Sequence, residues 1–244
     1  NAARPLELQI PIIISGMSYG GALSKQARIA LAKASTQAGA ATNTGEGAYL
    51  PEERENAVKY IYQYHRGLWP HGNKKEFYTM ADMIEIQLGQ GAQASAPQTT
   101  LAEKINEEFR EIYGLAEGED MVIASRLPGL ESPEDLKNLV SRLKEETGGV
   151  PISYKFAATH YLEAEIALQA GIDVIVIDGA EAGTHAGQPL LEDDFGLPTM
   201  HALVRAADFL EEKGVKDQVS LIASGGLFSP GHFLKAMALG ADAV

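Results

Sequence analysis

Apolar residues run along this chain in short unbroken blocks, and nearly every block is closed by glycines or polar residues. The first block covers residues 10–15 and runs into the glycine-rich turn SGMSYGGALS. Blocks of this kind, without polar alternation, mark strands buried on both faces. Further blocks predict strands at 40–44, 60–64, 83–88, 152–157, 174–178 and 219–223, and 241–244 reads as the start of an eighth strand that the chain cuts short. Helical patterns lie between them. Ser24 is placed to cap a helix with Ala27, Ala30, Leu31 and Ala34 at helical spacing, and Gly39 stops it. An insertion after the fourth strand holds a helix near 101–113 and a second over 132–146, which Ser132 and Asp135 open as a variant capping box. His160 begins the helix after the fifth strand, and 228–239 is helical.

Strands alternating with helices predict an α/β fold. Eight strand segments fit a closed (β/α)8 TIM barrel, with an insertion after the fourth strand and the eighth strand truncated at the chain end. The 244 residues are close to the ~250 of one such barrel. We therefore expect 1–244 to be a single barrel domain, incomplete at its C-terminus. A doubly wound dinucleotide-binding sheet would carry GxGxxG after its first strand, and SGMSYGG lacks that spacing.

Composition narrows the function classes. A net charge of -13 argues against a nucleic-acid partner, which requires a basic stripe, while leaving room for a local anion pocket. There is no cysteine, so this chain offers no thiolate for an iron–sulfur cluster. No apolar run reaches the ~20 residues of a membrane span, and no targeting leader is visible. The expectation is a cytoplasmic protein with no membrane partner.

Barrels carry their sites at the C-terminal ends of the strands. Here those ends supply Ser15, Gly16, Met17 and Ser18; then Asn43, Thr44 and Glu46; Gln87 and Gln90; Lys155; Asp178, Glu181 and Thr184; and Ser224, Gly225 and Gly226. The Ser-Gly-Gly turn before a helix at Phe228 suits a phosphate, because glycine lets backbone N–H groups approach an anion and the helix start adds a positive dipole end. Lys155, late in an apolar strand, requires an anion: either the electron-rich edge of a flavin or a carboxylate such as Asp178 or Glu46. Glu46 is a candidate for moving protons or an ordinary turn carboxylate. Gln87 and Gln90 can donate and accept, as a flavin's edge requires. His160 and His185 are candidate acid–base groups. His65, Trp69 and His71 have no metal-ligand spacing, and no metal site is expected.

Together the pieces SGMSYGGALS, TNTGEGA, QLGQGA, SPEDLKNLV, Tyr154-Lys155, DGAEAGTHAG, GLPT and SGGLFSPGHFLKAMALGADAV, in order from about Pro11 to Val244, resemble the FMN-binding synthase domain of glutamate synthase and its shorter relatives. The resemblance implies an FMN oxidoreductase acting on the CH-NH2 group, reducing 2-iminoglutarate, made from 2-oxoglutarate and ammonia, to L-glutamate. It implies an electron donor such as ferredoxin or an NAD(P)H-oxidising subunit. Carried over by motif, Ser15 to Ser18 lie along the flavin, Gln87 and Lys155 face its polar edge, Ser224, Gly225 and Gly226 hold its phosphate, and Glu46 and Gln90 face the substrate. Departures bear on the substrate. Gln93 stands where the family has Lys, His185 stands at a glycine position, and Arg126 is a candidate replacement cation for a substrate carboxylate. The alternatives are an FMN barrel with another substrate and a flavin-holding, non-catalytic subunit of a larger complex.

Overall fold

The computed structural model describes residues 2–157 and 160–244. Its central feature is one parallel sheet of seven strands, in the order β1 (Ile13–Ile14), β2 (Ala41–Asn43), β3 (Tyr60–Tyr64), β4 (Met83–Gln87), β7 (Ile152–Phe156), β8 (Val174–Asp178) and β9 (Ser220–Ser224). The sheet closes on itself through residues 242–244. Asp242 N donates to Leu221 O at 2.7 Å and Ala223 N to Ala243 O at 3.1 Å; on the other side Ile13 N donates to Val244 O at 2.7 Å and Val244 N to Pro11 O at 3.0 Å. The eighth-strand position is thus filled, and the fold is an α/β barrel.

Period-2 alternation sorts the side chains. Ile84 and Ile86 of β4 and Tyr154 and Phe156 of β7 face outward into the large core under the helices. Ile13, Ala41, Ile61, Met83, Val174, Val176, Ile222 and Ala243 face inward and form an apolar floor inside the barrel. One step further toward the C-terminal ends, the inward positions turn polar: Asn43, Gln63, Glu85, Lys155 and Asp178, all buried. The sequence places this polar layer above an apolar one, and that is what makes a site there.

The connecting helices are α1 (Lys25–Ala38), α2 (Pro51–Asn56), α3 (Lys75–Tyr78), α5 (Pro133–Thr147), α6 (Tyr161–Gln169), α7 (Pro189–Asp194), α8 (Thr199–Glu212) and α9 (Pro230–Ala238). Ser24 caps α1, accepting from Ala27 N, and Gly39 ends it with φ 71°. Ser132 and Asp135 form the reciprocal capping box that opens α5. The insertion after β4 pairs β5 (Gln98–Thr100) antiparallel with β6 (Met121–Ile123) around α4 (Glu107–Tyr113). Its aromatics build a satellite core in which Phe109 and Tyr113 stack at 4.1 Å.

Several expectations needed correction. The strand expected over 10–15 shrinks to Ile13–Ile14, because Pro11 has no N–H to donate and Ile12 N turns back to Ile10 O. The helix expected near 101–113 divides into a 3-10 turn at Ala102–Lys104 and α4, restarted by the Asn106 cap. On α1 the expected apolar line is rotated. Ala30 and Ala34 are exposed, while Arg28, Ala32 and Ser35 are buried. Arg28 is drawn in by Glu53, which accepts from its Nε at 3.0 Å and from its Nη2, and by the carbonyls of Met17, at 2.6 Å, and Thr44. Alanine is too small to outbid that ion pair. The helix expected from Phe228 begins at Pro230.

Among the described residues no helix is long and apolar enough to cross a membrane.

Candidate functional site

The polar layer opens into a cavity of about 230 Å³ at the C-terminal rim, bordered by Ser15, Gly16, Gln90, Lys155, Ser224, Gly225 and Gly226. Asn43 and Asp178 line it too, so nine of the residues singled out from sequence meet at one place. Met17, Ser18, Glu46 and Gln87 do not border it: the first three lie in the loops after β1 and β2, and Gln87 ends β4. The β1 loop lies on the β2 loop so closely that a Cβ on Gly45 would stand 2.6 Å from Met17 N.

Lys155 is buried, with its Nζ 3.6 Å from Asp178 Oδ1. Burial disfavours its charge, but Asp178, Glu85 and Glu46 outweigh that and hold its pKa above the ordinary value. Lys155 is therefore a fixed cation. Asp178 is anchored in turn, since its Oδ2 accepts from Gly91 N at 2.9 Å. Gly91 must be glycine, because a Cβ there would stand 1.7 Å from Gly179 O. Glu85 Oε1 accepts from Asn43 Nδ2 and from Gln63 Nε2, each at 2.8 Å. The polar layer is thus cross-linked from β2 to β4 and, separately, from β7 to β8.

A second charged group stands next to it. Arg66, fully buried just beyond β3, donates from Nε to Glu46 Oε1 at 3.1 Å and to Gln87 Oε1 at 3.2 Å. Gln87 Nε2 donates back to Glu46 Oε2 at 3.4 Å. Burial pushes the Glu46 carboxyl up from its usual range, with Arg66 and then Lys155 pulling the other way. Our sequence reading passed over Arg66. It was findable by the rule applied to the other strands, since it follows the third strand's C-terminal end directly.

The glycine turn after β9 has the makings of an anion cradle. Gly225 and Gly226 adopt φ of 114° and 68°, and a Cβ on Gly225 would stand 2.6 Å from Thr199 Oγ1. Among the described residues, no group accepts from the N–H groups of Gly225, Gly226 or Leu227. The loop is braced from behind by Gly179 N donating to Ser224 O at 2.9 Å. The helix dipole contributes less than expected, because Pro230 has no N–H and Ser229 Oγ already takes His232 N.

Gln93, His185 and Arg126 also find their places. Gln93 is fully buried, its Oε1 accepting from Gln98, and its Nε2 has no acceptor. His185 lies against the β1 loop, with Nε2 3.0 Å from where a Gly21 Cβ would be, and burial lowers its pKa. Arg126 does not reach the rim. It is exposed and lines a separate cavity with Glu163 and Leu127, because the segment after β6 returns along the outside of the barrel to α5. His160 caps α6, its Nδ1 accepting from Leu162 N at 3.1 Å. No cluster of metal-ligating side chains occurs among the described residues.

Comparison with known proteins agrees with this fold. Residues 1–244 match the family described as the conserved region in glutamate synthase. The chain is 37% identical to a glutamate synthase large subunit-like protein of Rhizobium meliloti, over 100% of this chain and 55% of that protein. It is 35% identical to the archaeal glutamate synthase [NADPH] of Archaeoglobus fulgidus, over 98% of this chain and 47% of that protein. The chain thus spans about half the length of the curated relatives it matches. Among solved structures it resembles a mandelate oxidase mutant with a monooxide FMN adduct, with TM-score 0.61 and 17% identity, covering 97% of this chain and 64% of that one. It also resembles a lactate oxidase of Pediococcus acidilactici, with TM-score 0.62 and 17% identity, covering 97% and 62%. At such identities these two likenesses concern the fold.

Proposed function

The chain belongs to the glutamate synthase family, and on that premise we propose that it is the FMN-binding barrel of an oxidoreductase that forms L-glutamate from 2-oxoglutarate and ammonia by way of 2-iminoglutarate. The observation that carries the reading is the turn at Gly225–Leu227, whose three N–H groups meet no acceptor among the described residues, bordering the same cavity as the buried cation Lys155. An anion at one edge and an electron-rich ring edge beside a cation are what FMN presents. Gly225 keeps the turn in this shape, because a Cβ there would meet Thr199 Oγ1 and the Gly179 backbone behind it.

FMN, when bound, supplies hydride-transfer chemistry. The chain's own residues do the rest. Gly225 and Gly226 bind phosphate oxygens through their N–H groups. Ser15 and Gly16 border the ring's place, and Lys155 stabilises negative charge that develops at the ring's polar edge. Gln90, on the cavity wall, and Gln87, at the end of β4, orient donors and acceptors. Glu46 faces the 2-oxo acid as the proton-handling group; its raised pKa keeps a proton available nearer neutrality than an ordinary carboxyl would. Arg66 holds that carboxyl in place and is a positioning residue. His185 lies over the β1 loop as a further substrate contact. We assign no substrate role to Arg126.

Electrons then come from a donor, and the relatives named for NADPH favour an NADPH-linked source over ferredoxin. The same reading puts the protein in the cytoplasm. The test is anaerobic: full-length protein reduced with NADPH and its partner, then mixed with 2-oxoglutarate and ammonium. Reoxidation with L-glutamate formed in proportion supports the reading; reoxidation by neither compound refutes it.

A further inference from the structure

A cavity of about 320 Å³ lies on the outer side of the barrel, behind the loop that follows β4. It shares no lining residue with the rim cavity. The two are nevertheless built on the same pieces. On β7 Lys155 points into the barrel, while Tyr154 and Phe156 point out into this second cavity. On the β4 loop Gln90 borders the rim, while Leu88 and Ala94 line the outer space.

The chemistry of its lining is unusual for an outer crevice. Leu127, Leu130 and Phe156 give it an apolar wall, beside the hydroxyl-bearing Ser95, Ser125 and Tyr154. At one side stands Arg126, which has no carboxylate partner among the described residues. At another stands Glu163 of α6, whose Oε2 is buried and receives no hydrogen bond among the described residues. Burial raises the pKa of that carboxyl, as expected of an acceptor without a donor. A cation without an anion and a buried acceptor without a donor, joined by an apolar wall, are complementary to one kind of small molecule.

We propose that this cavity is a second ligand site, for a free α-amino acid with an apolar side chain: Arg126 takes its carboxylate, Glu163 its ammonium group, and Leu127, Leu130 and Phe156 its side chain. Leu88 and Ala94, on the loop whose Gln90 borders the rim, form one wall. The site is independent of what the rim binds.

The experiment is calorimetric titration of the full-length, cofactor-loaded protein with L-leucine. One molecule is expected to bind per chain, undisturbed by saturating 2-oxoglutarate. Arg126→Ala and Glu163→Gln should each weaken binding roughly tenfold or more; the first residue is exposed and the second change is isosteric, so both variants should fold. The deaminated analogue 4-methyl-2-oxopentanoate should bind more weakly than leucine. Absence of leucine binding overturns the proposal. So does competition by 2-oxoglutarate, undiminished binding in both variants, or equal binding of the deaminated analogue.

Discussion

Arg66 Nε lies 3.1 Å from Glu46 Oε1, and both side chains are almost completely withdrawn from solvent. Arg66 offsets part of the desolvation of Glu46, and Gln87 hydrogen-bonds to both. Arg66→Ala leaves Glu46 buried with no fork to hold it, and should cost about 3–5 kcal/mol of stability, read by urea unfolding. Arg66→Lys keeps the charge but not the fork and should recover only part of that loss. If Arg66→Ala is as stable as the parent, the pair has no structural weight.

Next to Arg66 sits His65, stacked on Trp69 at 4.6 Å, with Nδ1 accepting from Gly67 N at 3.0 Å. Burial, helped by the Arg66 charge, lowers its pKa from 6.5 to about 3. The unfolded chain therefore takes up a proton near pH 6.5 that the folded chain refuses until about pH 3. Stability from this residue is complete above the unfolded value and falls as pH drops through that window, by up to ~1.4 kcal/mol per unit. The gap in unfolding free energy between the parent and His65→Gln should narrow as the solution is acidified. A gap that stays constant would show that His65 does not remain neutral in the fold.

The turn after β9 should tolerate nothing larger than glycine at its first position. In Gly225→Ala the new Cβ would meet Thr199 Oγ1 at 2.6 Å, at a φ of 114°. FMN retention, followed by flavin fluorescence on dilution, should weaken roughly tenfold or more. Gly231→Ala is the control: its nearest neighbour would be 3.9 Å away, and a helix gains up to ~1 kcal/mol from the change. Equal retention in both variants would remove the turn from the cofactor's site.

Lys155→Met should leave the barrel folded while slowing reduction of the bound cofactor by roughly tenfold or more, measured by stopped-flow bleaching. It also strands Asp178, so a modest drop in stability should accompany the kinetic loss. Unchanged reduction would assign Lys155 to its ion pair alone.

What the sequence made legible, and what it hid, follows from physical scale. Strands buried on both faces announce themselves as apolar runs, so seven were placed within a residue or two of β2, β3, β4, β7, β8, β9 and residues 242–244. Caps at Ser24, Ser132 and Gly39 were local enough to read. The helix α8 went unnoticed, and the small β5–β6 hairpin is made of three-residue strands with no periodicity to detect. Arg28 was hidden because its burial depends on Glu53, 25 residues away. The rim was readable through Ser15, Gly16 and Gly225, which follow strands, and Lys155, late in one; Arg66 obeys the same rule and was passed over. Arg126 was misplaced because sequence order says nothing about which side of the barrel a returning segment takes.

The visible absorption spectrum of the purified full-length protein, made with ample riboflavin, tests the central claim most directly. A barrel whose rim joins Lys155 to the Gly225–Gly226 turn should carry the two bands of oxidised flavin, released as FMN on denaturation. A colourless protein that takes up no FMN on addition would contradict the account.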